Sequence, residues 1–439
     1  MHYIILLVIL AMAGVAAAML LNSPELAALA IFATAFVEWI FGTGSIQLGI
    51  HIYPGDFVFG LLALLGFIRL FAVRLRGLSK PLLAVYALFA ILMISFFRGV
   101  MSYGVQPAGV DFRGDFYLLS AILYFSTFSY PERRIQRIFS LAAGMGAALI
   151  CVIYVRLTEV LLGMDASSWN IAGQDYRPVN AQAALFLMVL FLFVMYRNFE
   201  HQSSLLRRLM EGFLLLTVVI LRHRTLWVAI PATLLLMWLL DRSNSRKYLV
   251  RMLTAGGFIT VVITAILISG SSLASGFRSA ATNDQTLLWR IQGWGDLIHS
   301  MKGDTISYVF GAPYGSSMLR FLNGTWVTAG THSFYVEALL RGGGVGLLML
   351  LGLFISLGLS LRRLTVADIV GLHPAPSFWM ALLILNILFS ITYSPSYEQG
   401  IFLGMAISLA LRDVETGEVG LDLTGEDMEE IGVERSVAM

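Results

Sequence analysis

Residues 331–346 combine an ionisable side chain with a helix start; they read Thr-His-Ser-Phe-Tyr-Val-Glu-Ala-Leu-Leu-Arg-Gly-Gly-Gly-Val-Gly. The imidazole of His332 can gain or lose a proton near neutral pH. His332 stands where a long polar segment meets an apolar run. A histidine at such a place is either a helix cap or interfacial residue, or it does chemistry at a membrane surface.

Three arginines could bind an anion near the same surface. Arg222 and Arg224 flank His223 in a turn between two apolar runs, and Arg290 follows on a predicted helix. Arginine keeps its charge and presents a fixed fork of donors, which suits a phosphate or diphosphate. The alternative for these residues is that they snorkel toward lipid headgroups.

The helix that follows His332 carries further polar residues. Tyr335 lies one turn later and can share the face of His332. Glu337 and Arg341 are four residues apart in the favourable order for an ion pair, so mutual neutralisation is predicted for them rather than catalysis. The glycines within 342–346 remove side chains where another helix or a lipid chain can approach closely.

The composition indicates that membrane lipid surrounds these elements. Of the 439 residues, 58% are hydrophobic and 13% are charged, whereas an ordinary soluble domain carries about 25% charged residues. The net charge of +2 includes no basic block, so nucleic acid is not expected as a partner. One cysteine, Cys151, cannot form a thiolate cluster, and no other residues stand at metal-ligand spacing. We therefore predict no metal and no cofactor.

Apolar runs recur along the whole chain, and about 12–14 transmembrane helices are predicted from them. The runs are 3–21, 25–41, 55–72, 81–97, 115–130, 138–161, 179–196, 209–221, 225–240, 252–269, 332–360, 377–393 and 399–411. The first run lacks the basic start of a secretory signal, so a retained span is predicted. The run 25–41 contains Glu38 and ends on Gly42-Thr43-Gly44, so it either crosses the membrane or re-enters it.

Loop charges predict the orientation of the chain. Alternate loops are basic, and by the positive-inside rule they face the cytoplasm; they are 69–80, 130–137, 197–208, 241–251 and 361–364. The other set includes the segment 270–331, about 60 residues long, which then faces outward. Within it a helix that lies at the membrane interface is predicted to begin near Asn283-Asp284 and to carry Trp289 and Trp294.

The predicted organisation has four parts. Transmembrane helices occupy 1–269, the outer loop with its interfacial helix 270–331, and further transmembrane helices 332–412. An acidic tail, 413–439, lies in the cytoplasm and is predicted to be disordered.

Three segments resemble the bacterial O-antigen ligase and polymerase superfamily. They are Thr331-His332-Ser333-Phe334-Tyr335 with Glu337 and the glycines, Trp289-Arg290 through Trp294 to Phe310-Gly311-Ala312-Pro313-Tyr314-Gly315, and Arg224-Thr225-Leu226-Trp227. Ser333 and His223 depart from the asparagine and the serine that are frequent in the family at those places. With the span count and the one large outer loop, the resemblance covers most of the chain.

The resemblance implies an all-α, GT-C-like fold and a metal-independent, inverting glycosyltransferase on the outer face of the bacterial inner membrane. The donor would be a glycan linked to undecaprenyl diphosphate. His332 would act as general base, while Arg222, Arg224 and Arg290 would bind the diphosphate. Tyr335 would position a sugar.

The acceptor stays open between members of this family. A polysaccharide (O-antigen or exopolysaccharide) polymerase uses another lipid-linked glycan, a ligase uses lipid A core, and a related subset uses protein. The compact outer loop, without an extra acceptor domain, favours a polymerase. A transporter or lipid-linked sugar flippase is the alternative of another class, but charges would then be expected at mid-membrane rather than at the surface.

Overall fold

A computed structural model describes residues 18–42, 46–47, 51–72, 79–162, 178–196, 204–240, 245–268, 285–301, 304–322, 325–328, 330–366 and 376–419. The described chain is helical apart from two short antiparallel hairpins. Five of the described helices are long and apolar enough to cross a membrane, and there are five shorter apolar helical stretches of 10–17 residues. The predicted all-α membrane protein is thus confirmed, and the total span number stays a prediction.

The described elements are fourteen helices and four short strands. The helices are α1 Pro24–Phe41, α2 Pro54–Ala72, α3 Lys80–Tyr103, α4 Val105–Ser126, α5 Glu132–Leu161, α6 Ala181–Tyr196, α7 Ser204–Ile220, α8 Arg224–Leu240, α9 Ser245–Ile268, α10 Gln285–Ser300, α11 Thr305–Phe310, α12 Phe334–Val366, α13 Pro376–Phe389 and α14 Glu398–Val419. The strands are β1 Ile46–Gln47, β2 His51–Ile52, β3 Leu319–Leu322 and β4 Thr325–Thr328. Twelve of the thirteen predicted apolar runs coincide with described helices, and the run 3–21 lies mostly outside the described residues.

Helix α1 is continuous and joins opposite ends of the bundle. Ser23 caps its start by accepting a hydrogen bond from Leu26 N at 3.4 Å. Near that start Glu25 pairs with Arg134 at 3.2 Å, where α5 begins. Near the other end Glu38 accepts from Tyr397, just before α14, at 2.6 Å. Of the two readings of run 25–41, the structure therefore supports a crossing helix.

Close backbone packing joins α14 to α4 in the centre of the bundle. Gly400 and Gly404 lie four residues apart on the contact face of α14. A Cβ at Gly400 would stand 2.8 Å from Leu118 O, and a Cβ at Gly404 would stand 2.8 Å from Ile122 O. This is the small-residue spacing that lets two apolar helices approach closely. Most of α6 and α13 is also buried.

Helix α12 is broken at Gly343, which has φ +66°. The break separates residues 334–342 from residues 344–366. The end of α11 packs into it, because a Cβ at Gly343 would stand 2.3 Å from Val309 C and O. The predicted close approach at the glycines 342–346 is therefore made by a helix.

The segment predicted as the outer loop contains more structure than expected. The helix predicted in this segment is α10, and its place at a membrane interface stays a prediction. Its predicted caps, Asn283 and Asp284, lie outside the described residues. Helix α11 and the β3–β4 hairpin were not predicted. Residues 413–419 continue α14, so the prediction of a disordered tail from 413 is wrong for that part. Residues 420–439 lie outside the described residues.

Candidate active site

His332 stands in a tight turn just before α12, and its backbone is left-handed with φ +52°. Left-handed backbone is uncommon for a residue with a side chain, and it persists where neighbours hold it. Thr331 supplies that hold on one side. Its carbonyl accepts from Trp294 Nε1 at 2.6 Å, and its hydroxyl donates to Glu337 Oε2 at 2.5 Å. His332 is thus presented from a fixed turn.

Ser333 fixes the turn on the other side. It caps α12, because its Oγ accepts from Val336 N at 3.4 Å. The next residue, Phe334, donates its N–H to Ser390 O at 3.0 Å. The start of α12 is therefore tied to the residue that follows α13, and the histidine keeps its place relative to both helices.

Helix α10 lies over this turn. The ring of Trp289 stands 5.9 Å from the His332 ring. Arg290, the next residue, donates from Nη1 to Thr392 O at 3.1 Å, and its guanidinium lies 4.7 Å from the centroid of the Tyr393 ring. The sequence predicted Arg290 as a member of the site. In the structure Arg290 follows Trp289, whose ring lies beside that of His332.

The turn with Arg222 and Arg224 is packed into the protein. Arg222 has φ +58° and is 7% exposed, so it does not snorkel. His223 is also buried, and its Nε2 lies 3.2 Å from Val179 O. Arg224 begins α8, and Thr225 Oγ1 lies 2.8 Å from Thr392 Oγ1. Thr392 therefore contacts both elements that carry predicted anion-binding arginines.

Tyr335 is directed elsewhere. Its hydroxyl donates to Ile387 O on α13 at 3.0 Å, and its ring meets Phe354 edge-on at 6.2 Å. The tyrosine thus joins α12 to α13 below the turn. Its contact with a sugar stays a prediction. In the structure its hydroxyl donates a hydrogen bond to Ile387 O.

Arg341 anchors the loop after α11 instead of pairing mainly with Glu337. Glu337 Oε1 is 3.9 Å from Arg341 Nε, whereas Asp111 on α4 forms the closer ion pair with Arg341 Nη2. Arg341 is 1% exposed and also donates to Pro313 O and Ser316 Oγ, both at 2.7 Å. The predicted Glu337–Arg341 pair is therefore the weaker contact, and Glu337 mainly supports Thr331.

Tyr314 completes this anchor. It is fully buried and donates its hydroxyl to Asp115 Oδ2 at 2.6 Å. Burial, followed by the neighbouring Asp115 carboxylate, raises the pKa of Tyr314 well above its ordinary value. The phenol therefore remains a donor, and the loop that follows α11 stays bound to α4.

The sequence did not indicate Thr392 or Tyr393 as part of the site. They lie in 390–397, an uncharged stretch of serine, threonine, tyrosine and proline with one isoleucine, between two apolar helices. Such a stretch reads only as a loop, and nothing local shows that it meets α8, α10 and α12. Within the described residues, no three histidine, cysteine or acidic side chains gather as metal ligands.

Comparison with known proteins adds no relative: no family model matches the chain, and no curated protein matches it.

Proposed function

We propose that the chain is a membrane glycosyltransferase that moves a glycan from undecaprenyl diphosphate to an acceptor hydroxyl, as the sequence resemblance implies. A GT-C-like fold belongs to this proposal. So does a site on the outer face of the bacterial inner membrane. The acceptor is taken to be a second lipid-linked glycan, which makes the protein a polysaccharide polymerase. Transfer to lipid A core, as by a ligase, is the alternative that the experiment below separates.

The observation that carries the proposal is the state of Arg290. It forms no ion pair with any carboxylate in the described part of the chain, and its Nε is buried without a hydrogen-bond partner there. By contrast, Arg113 pairs with Asp56 and Arg341 with Asp111. A partly buried cation without a counter-charge favours an anionic ligand. A diphosphate supplies that charge beside the His332 turn.

The proposed chemistry uses these groups in one displacement. The acceptor oxygen attacks the anomeric carbon of the donor glycan while the bond from that carbon to the diphosphate oxygen breaks. His332 takes the acceptor proton, and the diphosphate leaves with the bonding electron pair. Arg290, Arg224 and Arg222 stabilise the charge that develops on this leaving group. Attack opposite the leaving group inverts the anomeric centre.

The test is transfer by the purified protein in lipid vesicles that contain an undecaprenyl-diphosphate-linked glycan. We expect a ladder of longer lipid-linked products from the wild type. His332→Ala should lower turnover by about 10²- to 10⁴-fold, the usual effect of losing a general base. His299→Ala is the matched control, since His299 is exposed in the last turn of α10. It should transfer normally.

Normal turnover in the His332 variant would overturn the general-base role. Transfer that requires added lipid A core would replace the polymerase by a ligase. Movement of the donor across the vesicle membrane without any transfer would favour the flippase instead.

A further inference from the structure

One loop residue joins the two helix starts that carry the candidate arginines. Thr392 Oγ1 lies 2.8 Å from Thr225 Oγ1, in the first turn of α8 directly after Arg224. The carbonyl of the same Thr392 accepts from Arg290 Nη1 of α10 at 3.1 Å. Thr392, which is more than 100 positions from either residue in the chain, thus links Thr225 of α8 to Arg290 of α10.

Tyr393 supports the same guanidinium from its ring. The Arg290 guanidinium lies 4.7 Å from the ring centroid, within the range of a cation–π contact. The ring is itself held by stacking on Phe389, with centroids 5.1 Å apart and planes at 21°. Both supports are uncharged, so they orient Arg290 and leave its positive charge for a ligand.

We infer that Thr392 and Tyr393 are positioning residues that hold Arg224 and Arg290 toward one diphosphate. The inference rests on the proposed function for the identity of that anion. Thr392 acts through Thr225 and through its own carbonyl, and Tyr393 acts through the cation–π contact. Neither residue needs to touch the substrate.

A double-mutant cycle tests the Thr392 part. Thr225→Val and Thr392→Val each remove the same hydroxyl contact and keep the shape of the side chain. Each should raise the KM for the lipid-linked donor about three- to tenfold, the effect of losing one hydrogen bond, with kcat changed by less than about twofold. The double variant should be no worse than either single variant, because the bond can be lost only once.

Three comparisons separate positioning from general damage. Thr392→Ser keeps the hydroxyl and should restore the donor KM. Thr254→Val is the matched control, because Thr254 is exposed on α9 and its hydroxyl donates to Val250 O of its own helix. Tyr393→Phe should behave as wild type, whereas Tyr393→Leu should raise KM about three- to tenfold. Additive effects in the cycle, or an unchanged KM in Thr392→Val, would overturn the inference.

Binding of undecaprenyl diphosphate alone keeps the two proposals distinguishable. The same variants should weaken its Kd by the same factors, with no need for transfer. A wild-type protein that binds this lipid but transfers no glycan would refute the proposed function, while the cycle in Kd would still decide the positioning role. A wild-type protein that does not bind it would overturn the positioning role as well.

Discussion

Replacing Gly343 by alanine tests how the break in α12 is built. At φ +66° and ψ −166° the backbone lies in a region that essentially only glycine adopts, so a side chain there costs about 1–3 kcal/mol. The added Cβ would also stand 2.3 Å from Val309 C and O and 2.5 Å from Phe310 N. These are backbone atoms, so only a shift of α11 relieves the contact, and such overpacking costs about 1–3 kcal/mol. We therefore expect the free energy of unfolding to fall by about 2–6 kcal/mol.

Gly352 on the same helix provides the control. A Cβ there would meet no atom within 4 Å. Alanine is the better helix former by about 1 kcal/mol, so Gly352→Ala should leave stability unchanged or slightly raised. The assay is equilibrium unfolding of both variants in mixed micelles titrated with sodium dodecyl sulfate. Equal midpoints for the two variants would refute the account of the break.

Two further predictions concern charge. Arg290→Ala should raise the donor KM about 10- to 100-fold, since charge-assisted hydrogen bonds contribute about 1.5–3 kcal/mol; Arg290→Lys should raise it less, because it keeps the charge without the fork. Donor titrations of both variants check this, and equal KM values in wild type and Arg290→Ala contradict it. The raised pKa of Tyr314 favours the folded state below the ordinary value of about 10, and this stability is lost as pH rises through the folded pKa. The thermal unfolding temperature should therefore fall more steeply between pH 8 and pH 11 for wild type than for Tyr314→Phe. Parallel curves of unfolding temperature against pH would contradict the prediction.

The helices could be predicted because the apolar residues that determine each helix lie within one continuous segment. An apolar run of sufficient length must form internal backbone hydrogen bonds in lipid, and a helix does this within one segment. The doubtful run 25–41 was decided by contacts at its two ends, from Glu25 to Arg134 and from Glu38 to Tyr397. Those partners lie far along the chain, so the sequence left both readings open.

The site could be predicted only in its charged members. A histidine or arginine at the edge of an apolar run is conspicuous, whereas Thr392 resembles any loop residue. Arg341 was paired with Glu337 by helical spacing, but the fold brings Asp111 closer. The β3–β4 hairpin had a usable signal that was overlooked, since Asn323-Gly324 between the two strands is a strong hairpin sequence.

The break in α12 also has a mechanical consequence. Residues 344–366 would extend about 34 Å as a helix, enough to tilt when bilayer thickness changes. Residues 334–342 are separated from them by the non-helical Gly343, and their start is held by the bond from Phe334 N to Ser390 O. We therefore expect a change of tilt in the longer segment to bend α12 at Gly343, because the start of the shorter segment is held at Ser390 O.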